Sequence, residues 1–462
     1  MEFPQYKGKK VLVWGLGLND GGLGVVDFFV RQGANVTATD TKTKEQLSPT
    51  LKKLKKYGDK IHYVFGEHKK EDFENADLII RSPAAKPGTE LLKYVESLNK
   101  DVEMEISLFL HLKPCPIIGI TGTRGKSTTT TLIYEMMKEH FGERVFLGGN
   151  IGKSVMRILP ELNKDNIGVL EISSFHLDQM GKEKLSPEYC LVTNMYTDHL
   201  DWHENMDYYV NAKRNIFLNQ SPIGFTVLNI DNDITRGFIK DVPSEVVTFS
   251  LKSDKANYYT DNNLDVHFEG RKLLSLKNSP LEGEHNVYNL TAAVSLTHRF
   301  GVSIENILKV VNSFKGIEGR EEFVRELNGI KFYNDTTATS VEAIIAALER
   351  FGPRNKQKIV MISGGVDKGF DFSIIKEDVE KYVKAIVLLE GTASEKLFEE
   401  FQNSEIKIDK YFNNFRTAIE RAYEIAEEGD MVILLPGGSS FNMFENEFDR
   451  GAQYNKIVKS LK

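Results

Sequence analysis

Residues 117 to 131 read IIGITGTRGKSTTTT, an apolar run that breaks into glycines, threonines, a lysine and a serine. Gly122 and Gly125 let backbone N–H groups crowd around an anion, and the helix-forming run from Thr128 adds the positive end of a helix. Lys126 supplies a movable charge, and Ser127 supplies a hydroxyl able to ligate Mg2+. The spacing departs from the common phosphate loop, because the position five before Gly125 is Ile120 rather than glycine. Gly119-x-Thr121-Gly122-Thr123-x-Gly125-Lys126-Ser127 is a signature of its own.

Further along, Glu171 closes the apolar run Ile167-Gly168-Val169-Leu170, and Asp198-His199 follow Cys190-Leu191-Val192-Thr193-Asn194. A carboxylate and an imidazole emerging beside a phosphate loop suit Mg2+ or Mn2+ better than a structural zinc. Near the N-terminus, Gly15-Leu16-Gly17-Leu18-Asn19-Asp20-Gly21-Gly22 followed by Asp40 invites a dinucleotide reading. Position 20 should then be glycine, and it is an acid that would repel phosphate, so a different nucleotide or sugar nucleotide fits better. The last third offers Asn334-Asp335-Thr336-Thr337, Lys368 in Gly364-Gly365-Val366-Asp367-Lys368-Gly369, and Gly437-Gly438-Ser439-Ser440-Phe441. A loop lysine at such a place could hold a carboxylate, although a solvated loop would look the same. Lys213, in Tyr208-Tyr209-Val210-Asn211-Ala212-Lys213-Arg214, reads by composition as an exposed helical lysine.

The elements that must position these groups alternate along the chain. Strands are expected at 9–14, 35–40 and 77–80; near 117–121, 145–148, 167–172, 189–194 and 225–230; and at 330–334, 357–363, 384–390 and 430–435. With helical stretches between them they predict an α/β chain of parallel sheets, whose ligands bind at the strand carboxyl ends. Three domains follow: residues 1–113, Rossmann-like; 114–318, a central ATPase domain of phosphate-loop type with a mostly parallel sheet; and 319–462, again Rossmann-like. Pro114 and Pro116 suit a linker at the first boundary.

Composition narrows the class. A length of 462 residues exceeds one comfortable core, and a formal net charge of -7 gives no footprint for nucleic acid. Cys115 and Cys190 are the only cysteines, too few for a disulfide framework or a four-cysteine zinc site. No apolar stretch approaches a membrane span and the N-terminus lacks an apolar signal core, so a cytoplasmic protein without membrane insertion is expected.

Together these motifs resemble the Mur ligase family, over nearly the whole chain. Gly119 to Ser127 looks like the family's ATP loop, with Gly122, Thr123, Gly125, Lys126, Ser127 and Thr128 as contacts. Glu171-Ile172-Ser173-Ser174-Phe175-His176-Leu177 and Asn194 to Asp201 look like its two metal segments. The resemblance implies that Lys126, Glu171, His199 and Lys213 are catalytic. It also implies that Ser127, Glu171, His199 and Lys213, the last as a carbamate formed with CO2, hold two Mg2+. Asn286 and Asn289 fall on the adenine segment, and Arg320 and Asp335 on further ATP contacts. Leu18, Asn19, Asp40, Thr41 and Ser82 fall where the family's glutamate-adding member holds the UDP moiety. Arg124, Asn150 and Ser174 fall beside the muramoyl part, and Lys368, Ser440 and Phe441 where the amino acid sits.

The activity implied is ATP-dependent addition of D-glutamate to UDP-N-acetylmuramoyl-L-alanine through an acyl phosphate, by a monomer with small-molecule substrates only. The same ligation with L-glutamate is the alternative, followed by a dinucleotide-dependent oxidoreductase, a ligase-like module paired with an amidotransferase, and a folate ligase. Three positions depart from the family's habit: Arg124 stands for an asparagine, Thr337 for a lysine and Glu447 for an aromatic residue.

Overall fold

The structure is a computed structural model. It describes residues 1–462 except Asn19, Gly152, Lys368 and Phe441, and except the side chains of Asp201, Glu342 and Arg354. Three of the expected substrate residues, Asn19, Lys368 and Phe441, therefore lie outside the described residues. The chain divides into two compact units, Met1–Phe314 and Lys315–Lys462.

The first unit carries two sheets. Strands β1 (Lys10–Trp14), β2 (Asn35–Asp40), β3 (Ile61–Phe65), β4 (Leu78–Arg81) and β5 (Asp101–Glu103) form a parallel sheet in the order β3-β2-β1-β4-β5. Its order reverses between β1 and β4, so the Gly15 turn and Ser82 leave the sheet as neighbours. A Cβ on Gly15 would lie 2.2 Å from Ser82 Oγ, at φ +96°. The turn residue is glycine because nothing larger fits there.

The second sheet is built from β6 (Ile117–Thr121), β7 (Val145–Gly149), β8 (Ile167–Glu171), β9 (Tyr189–Val192), β10 (Phe225–Asn229), β11 (Glu245–Ser250), β12 (Tyr258–Thr260), β13 (Asp265–Phe268) and β14 (Arg271–Ser275). The order is β14-β13-β12-β11-β10-β9-β6-β8-β7, parallel except for the final hairpin strands β12 to β14. Strands β6, β8 and β10 are buried at every residue, as a sheet covered on both faces requires. One face packs on the helices Lys126–Phe141, Glu284–Phe300 and Ile304–Ser313. The other contributes Ile117, Leu170, Cys190, Val192 and Leu228 to a single apolar cluster shared with Val11, Val13, Phe28 and Phe29 of the first sheet and its helix.

The second unit holds β15 (Glu322–Leu327), β16 (Ile330–Asn334), β17 (Ile359–Gly364), β18 (Val383–Leu389), β19 (Lys407–Phe412) and β20 (Met431–Gly437), in the order β15-β16-β20-β17-β18-β19. Only β15 runs antiparallel. The expected strands are found, whereas β3, β5, β11 to β14, β15 and β19 were not foreseen. Of these, β3, β5, β14, β15 and β19 end their sheets and are partly exposed, so they mix charge with apolar residues and lack the continuous runs of the buried strands.

Candidate active site

Three adjacent strands deliver the site. β6 lies between β8 and β9, with Ile120 opposite Glu171 and Thr121 opposite Val192. The loop after β6, the carboxylate ending β8 and the segment after β9 therefore leave the sheet side by side. In the loop, Gly122 has φ +146° and a Cβ there would lie 1.9 Å from Thr193 Oγ1. Gly125, at φ +78°, caps the helix Lys126–Phe141, and a Cβ there would lie 2.2 Å from Asn289 Oδ1. Both positions need glycine for conformation and for space.

The segment after β9 fastens this loop through bonds that use the backbone of both. Thr123 N donates to Asn194 O at 2.9 Å and Arg124 N to Asn194 Oδ1 at 2.8 Å. The Arg124 carbonyl accepts from Thr193 Oγ1 at 2.7 Å and from Asn194 Nδ2 at 3.1 Å. Thr123 Oγ1 accepts from Tyr196 N at 3.0 Å and pairs with the Tyr209 hydroxyl at 3.1 Å. Lys126 Nζ donates to Thr123 O at 3.0 Å, which turns its ammonium back over the loop.

Glu171 is 1% exposed. Its Oε1 accepts from Asn150 Nδ2 at 2.9 Å, while Oε2 is buried with no hydrogen-bond partner among the described residues. A buried carboxylate oxygen without a donor is costly, and a cation removes that cost. Lys213, also 1% exposed, donates from Nζ to Thr121 Oγ1 at 3.2 Å and lies 5.0 Å above the Tyr209 ring. Burial, reinforced by the charge of Lys126, holds its pKa well below the ordinary lysine value against the opposing pull of Asp198 and Glu171. The pocket that lacks a donor for Glu171 thus also favours the neutral form of the Lys213 amine. His199 follows at a left-handed φ of +52°, exposed, with Nε2 3.8 Å from Asp198 Oδ2 and its ring 6.3 Å from that of Tyr209. The Glu171 carboxylate and the Ser127 hydroxyl are oxygen donors of the kind a hard divalent ion such as Mg2+ takes.

The expected adenine residues form a chain behind the loop. Asn289 Oδ1 accepts from Thr129 Oγ1 at 3.3 Å, and Asn289 Nδ2 donates to Asn286 Oδ1 at 3.3 Å. Ser174 is buried, its hydroxyl 2.8 Å from His203 Nε2. Arg124 is largely exposed, its guanidinium 3.9 Å from Asp198 Oδ2. In the first sheet, Asp40 is buried and spends both oxygens on backbone: Oδ2 accepts from Gly17 N at 2.8 Å and Oδ1 from Lys42 N at 2.9 Å. Its carboxylate shapes the turn that presents Leu18, with Thr41 exposed beside it. Asp20, which spoiled the dinucleotide spacing, accepts from Ser154 N at 2.9 Å and lies 3.3 Å from Arg157.

The second unit places Arg320 exposed and Asp335 buried at the end of β16. Burial pushes the Asp335 carboxyl up to about 7, against the Arg320 charge and a bond from Thr337 Oγ1 at 3.2 Å. Ser440 is 1% exposed, and its Oγ has no hydrogen-bond partner among the described residues. Sequence reasoning missed Arg450, which is fully buried and fixes the Asp335 loop: Nε donates to Thr336 Oγ1 at 3.0 Å and NH2 to Thr336 O at 2.9 Å. No motif surrounds it. Tyr209 was missed too, although its place four residues before Lys213 puts both on one helix face.

Residues 9–103 match the N-terminal domain described as Mur ligase MurD-like, residues 120–297 the Mur ligase middle domain, and residues 319–438 the Mur ligase glutamate ligase domain. The UDP-N-acetylmuramoylalanine–D-glutamate ligase of Roseiflexus sp. is 38% identical, covering 99% of this chain and all of that protein. The ligase of the same name from Clostridium novyi is 36% identical, over 100% of this chain and 99% of its own. Among solved structures, the UDP-N-acetylmuramate-alanine ligase of Thermotoga maritima shares the fold at TM-score 0.58 and 19% identity, covering 98% of this chain and 100% of that one.

Proposed function

The chain belongs to the Mur ligase family, and from that premise we propose that it joins D-glutamate to UDP-N-acetylmuramoyl-L-alanine with ATP. The observation that carries the chemistry is the meeting, at adjacent strand ends, of a phosphate loop and a carboxylate oxygen without a donor, with a buried lysine from the helix Met206–Arg214 bonded to Thr121 at the end of β6. The substrate pair rests on the relatives named above. We take the domains as residues 1–113, 114–318 and 319–462, and the protein as a cytoplasmic monomer, which sedimentation would test.

The alanyl carboxylate attacks the γ-phosphorus of ATP, and ADP leaves. The glutamate amine then attacks the acyl carbon, phosphate departs and the amine loses a proton. The difficulty is bringing two anions together. N–H groups of residues 122 to 127 and the Lys126 ammonium spread the phosphate charge, with Thr128 at the same helix start. Ser127, Glu171, His199 and Lys213 would hold Mg2+, which neutralises charge on the phosphoryl group when bound. Lys213 joins that set by capturing CO2: its amine becomes a carbamate and releases a proton, turning a buried base into an oxygen donor. Asn286 and Asn289 offer amides to the adenine edge, and Arg320 and Asp335 serve the nucleotide. Leu18, Asn19, Asp40, Thr41 and Ser82 form the UDP end. Arg124, Asn150 and Ser174 border the muramoyl part, and Lys368, Ser440 and Phe441 orient glutamate.

The test is phosphate release from ATP with UDP-N-acetylmuramoyl-L-alanine, offering D-glutamate, L-glutamate and other amino acids separately. Release stimulated by D-glutamate alone is expected, and Lys126→Ala should lower it by about 10²–10³-fold while the fold stays intact. Stimulation by no amino acid would remove the substrate assignment, and preference for L-glutamate would correct it.

A further inference from the structure

Away from the nucleotide site, three side chains from separate elements converge. Glu103 ends β5, His111 lies in the last turn of the helix Glu105–Leu112, and Glu183 follows the helix Ser174–Lys182. His111 Nε2 is 3.3 Å from Glu103 Oε1 and 3.9 Å from Glu183 Oε2, and one donor atom from each residue falls within 4.8 Å of the others. Ligand atoms about 2.0–2.2 Å from a tetrahedral ion stand roughly 3.3–3.6 Å apart, so the Glu103–His111 edge already has the right length. The longer edges involve Glu183, whose half-exposed side chain can move.

Each carboxylate is also oriented for the task. The second oxygen of Glu103 accepts from Ser107 Oγ, and the second oxygen of Glu183 accepts from Gln179 Nε2 at 3.1 Å, which leaves one oxygen of each facing the imidazole. Such outer bonds are what holds carboxylate ligands in place at metal sites. No lysine or arginine pairs with Glu103 or Glu183 among the described residues, so the two free carboxylate oxygens face the imidazole. His111 is 42% exposed on its side chain, so an ion can enter from solvent.

We propose that Glu103, His111 and Glu183 form a binding site for a borderline divalent transition ion, zinc first, completed by water, that clasps β5 to the helix Ser174–Lys182. One imidazole with two carboxylates favours such an ion over Mg2+ or Ca2+, which prefer all-oxygen sets. The site lies at the far end of that helix from Glu171, nine residues or about 13 Å along its axis, so it is separate from the nucleotide metals.

Calorimetric titration of the full chain with Zn2+, in the absence of nucleotide, tests this. His199→Ala should keep an equivalent that His111→Gln loses, and Glu183→Gln should bind that equivalent at least tenfold more weakly. Circular dichroism in chelator checks folding, and the exposed His111 carries the test if Glu183→Gln does not fold. Equal stoichiometry and affinity in the wild type and His111→Gln, or no zinc bound by the wild type, would overturn the proposal.

Discussion

Lys213 shows how a residue's meaning changes with its surroundings. Composition around it describes a solvated helical lysine, and only the fold reveals that it is 1% exposed with its amine on Thr121 and over Tyr209. Carbamate formation needs an uncharged amine, and an ordinary lysine offers almost none at neutral pH. The lowered Lys213 pKa shifts the balance towards that neutral form. Turnover should therefore fall when CO2 and bicarbonate are stripped from the buffer at pH 7 and return when bicarbonate is added. Unchanged turnover after thorough stripping would show that no carbamate is needed. Arg124 was legible as an oddity of the loop, but its partner was not: the exposed guanidinium lies near Asp198, a residue 74 positions away in sequence. Arg124→Asn should raise the KM for the UDP-sugar several-fold and leave that for ATP unchanged; a change confined to ATP would place this side chain elsewhere.

At the scale of elements, the sequence was readable where one local rule governs. Buried strands such as β6 and β8 announce themselves as continuous apolar runs, and the loop between β6 and its helix announces itself by glycines. What the glycines avoid was not readable, since Asn289 and Thr193 reach them from distant segments. Gly125→Ala should cost both strain at a left-handed φ and a collision with Asn289 Oδ1, so nucleotide binding should weaken by at least tenfold and the melting temperature should drop. Unaltered ATP affinity in a folded variant would mean the loop relaxes freely. The Asp335 loop makes a second claim. Its carboxyl is raised to about 7 in the folded unit, above its unfolded value near 4. The folded state therefore holds this proton more tightly, a contribution fully present below about pH 4 and lost as pH rises through 7. Asp335→Asn should stabilise the second unit relative to wild type at pH 8 by up to a few kcal/mol, and by much less at pH 5. Denaturant melts at the two pH values would show it, and an equal effect at both would refute the shift.

Over the whole molecule, strand grammar suggests three domains that begin alike, yet side-chain packing does not respect all the boundaries equally. The apolar cluster of the first sheet runs without a break into one face of the second, joining Phe28, Phe29 and Ile106 to Ile117, Leu170, Met180 and Val192. Gly24 gives the closest approach: a Cβ there would lie 2.0 Å from Ser154 Oγ, so the helix Asp20–Arg31 rests directly on the segment opening the helix Val155–Ile158. Asp20, Arg157 and a bond from Ser154 Oγ to the half-buried Glu105 add polar ties across the same seam. The described cores of the second unit, in contrast, are built from Ile330 onward, with Val324 and Leu327 packed against them. This difference predicts how the chain can be cut. Residues 315–462 expressed alone should melt cooperatively, because the described cores of that unit are made of its own residues. Residues 114–314 alone should not, because removing the first sheet exposes a row of side chains each contributing about 1.5–3 kcal/mol when buried, against a total stability of roughly 5–15 kcal/mol. Circular dichroism melts and size-exclusion profiles of the two fragments decide the matter. A cooperative, monodisperse fragment 114–314 would show that the shared cluster is a docked surface rather than a common core.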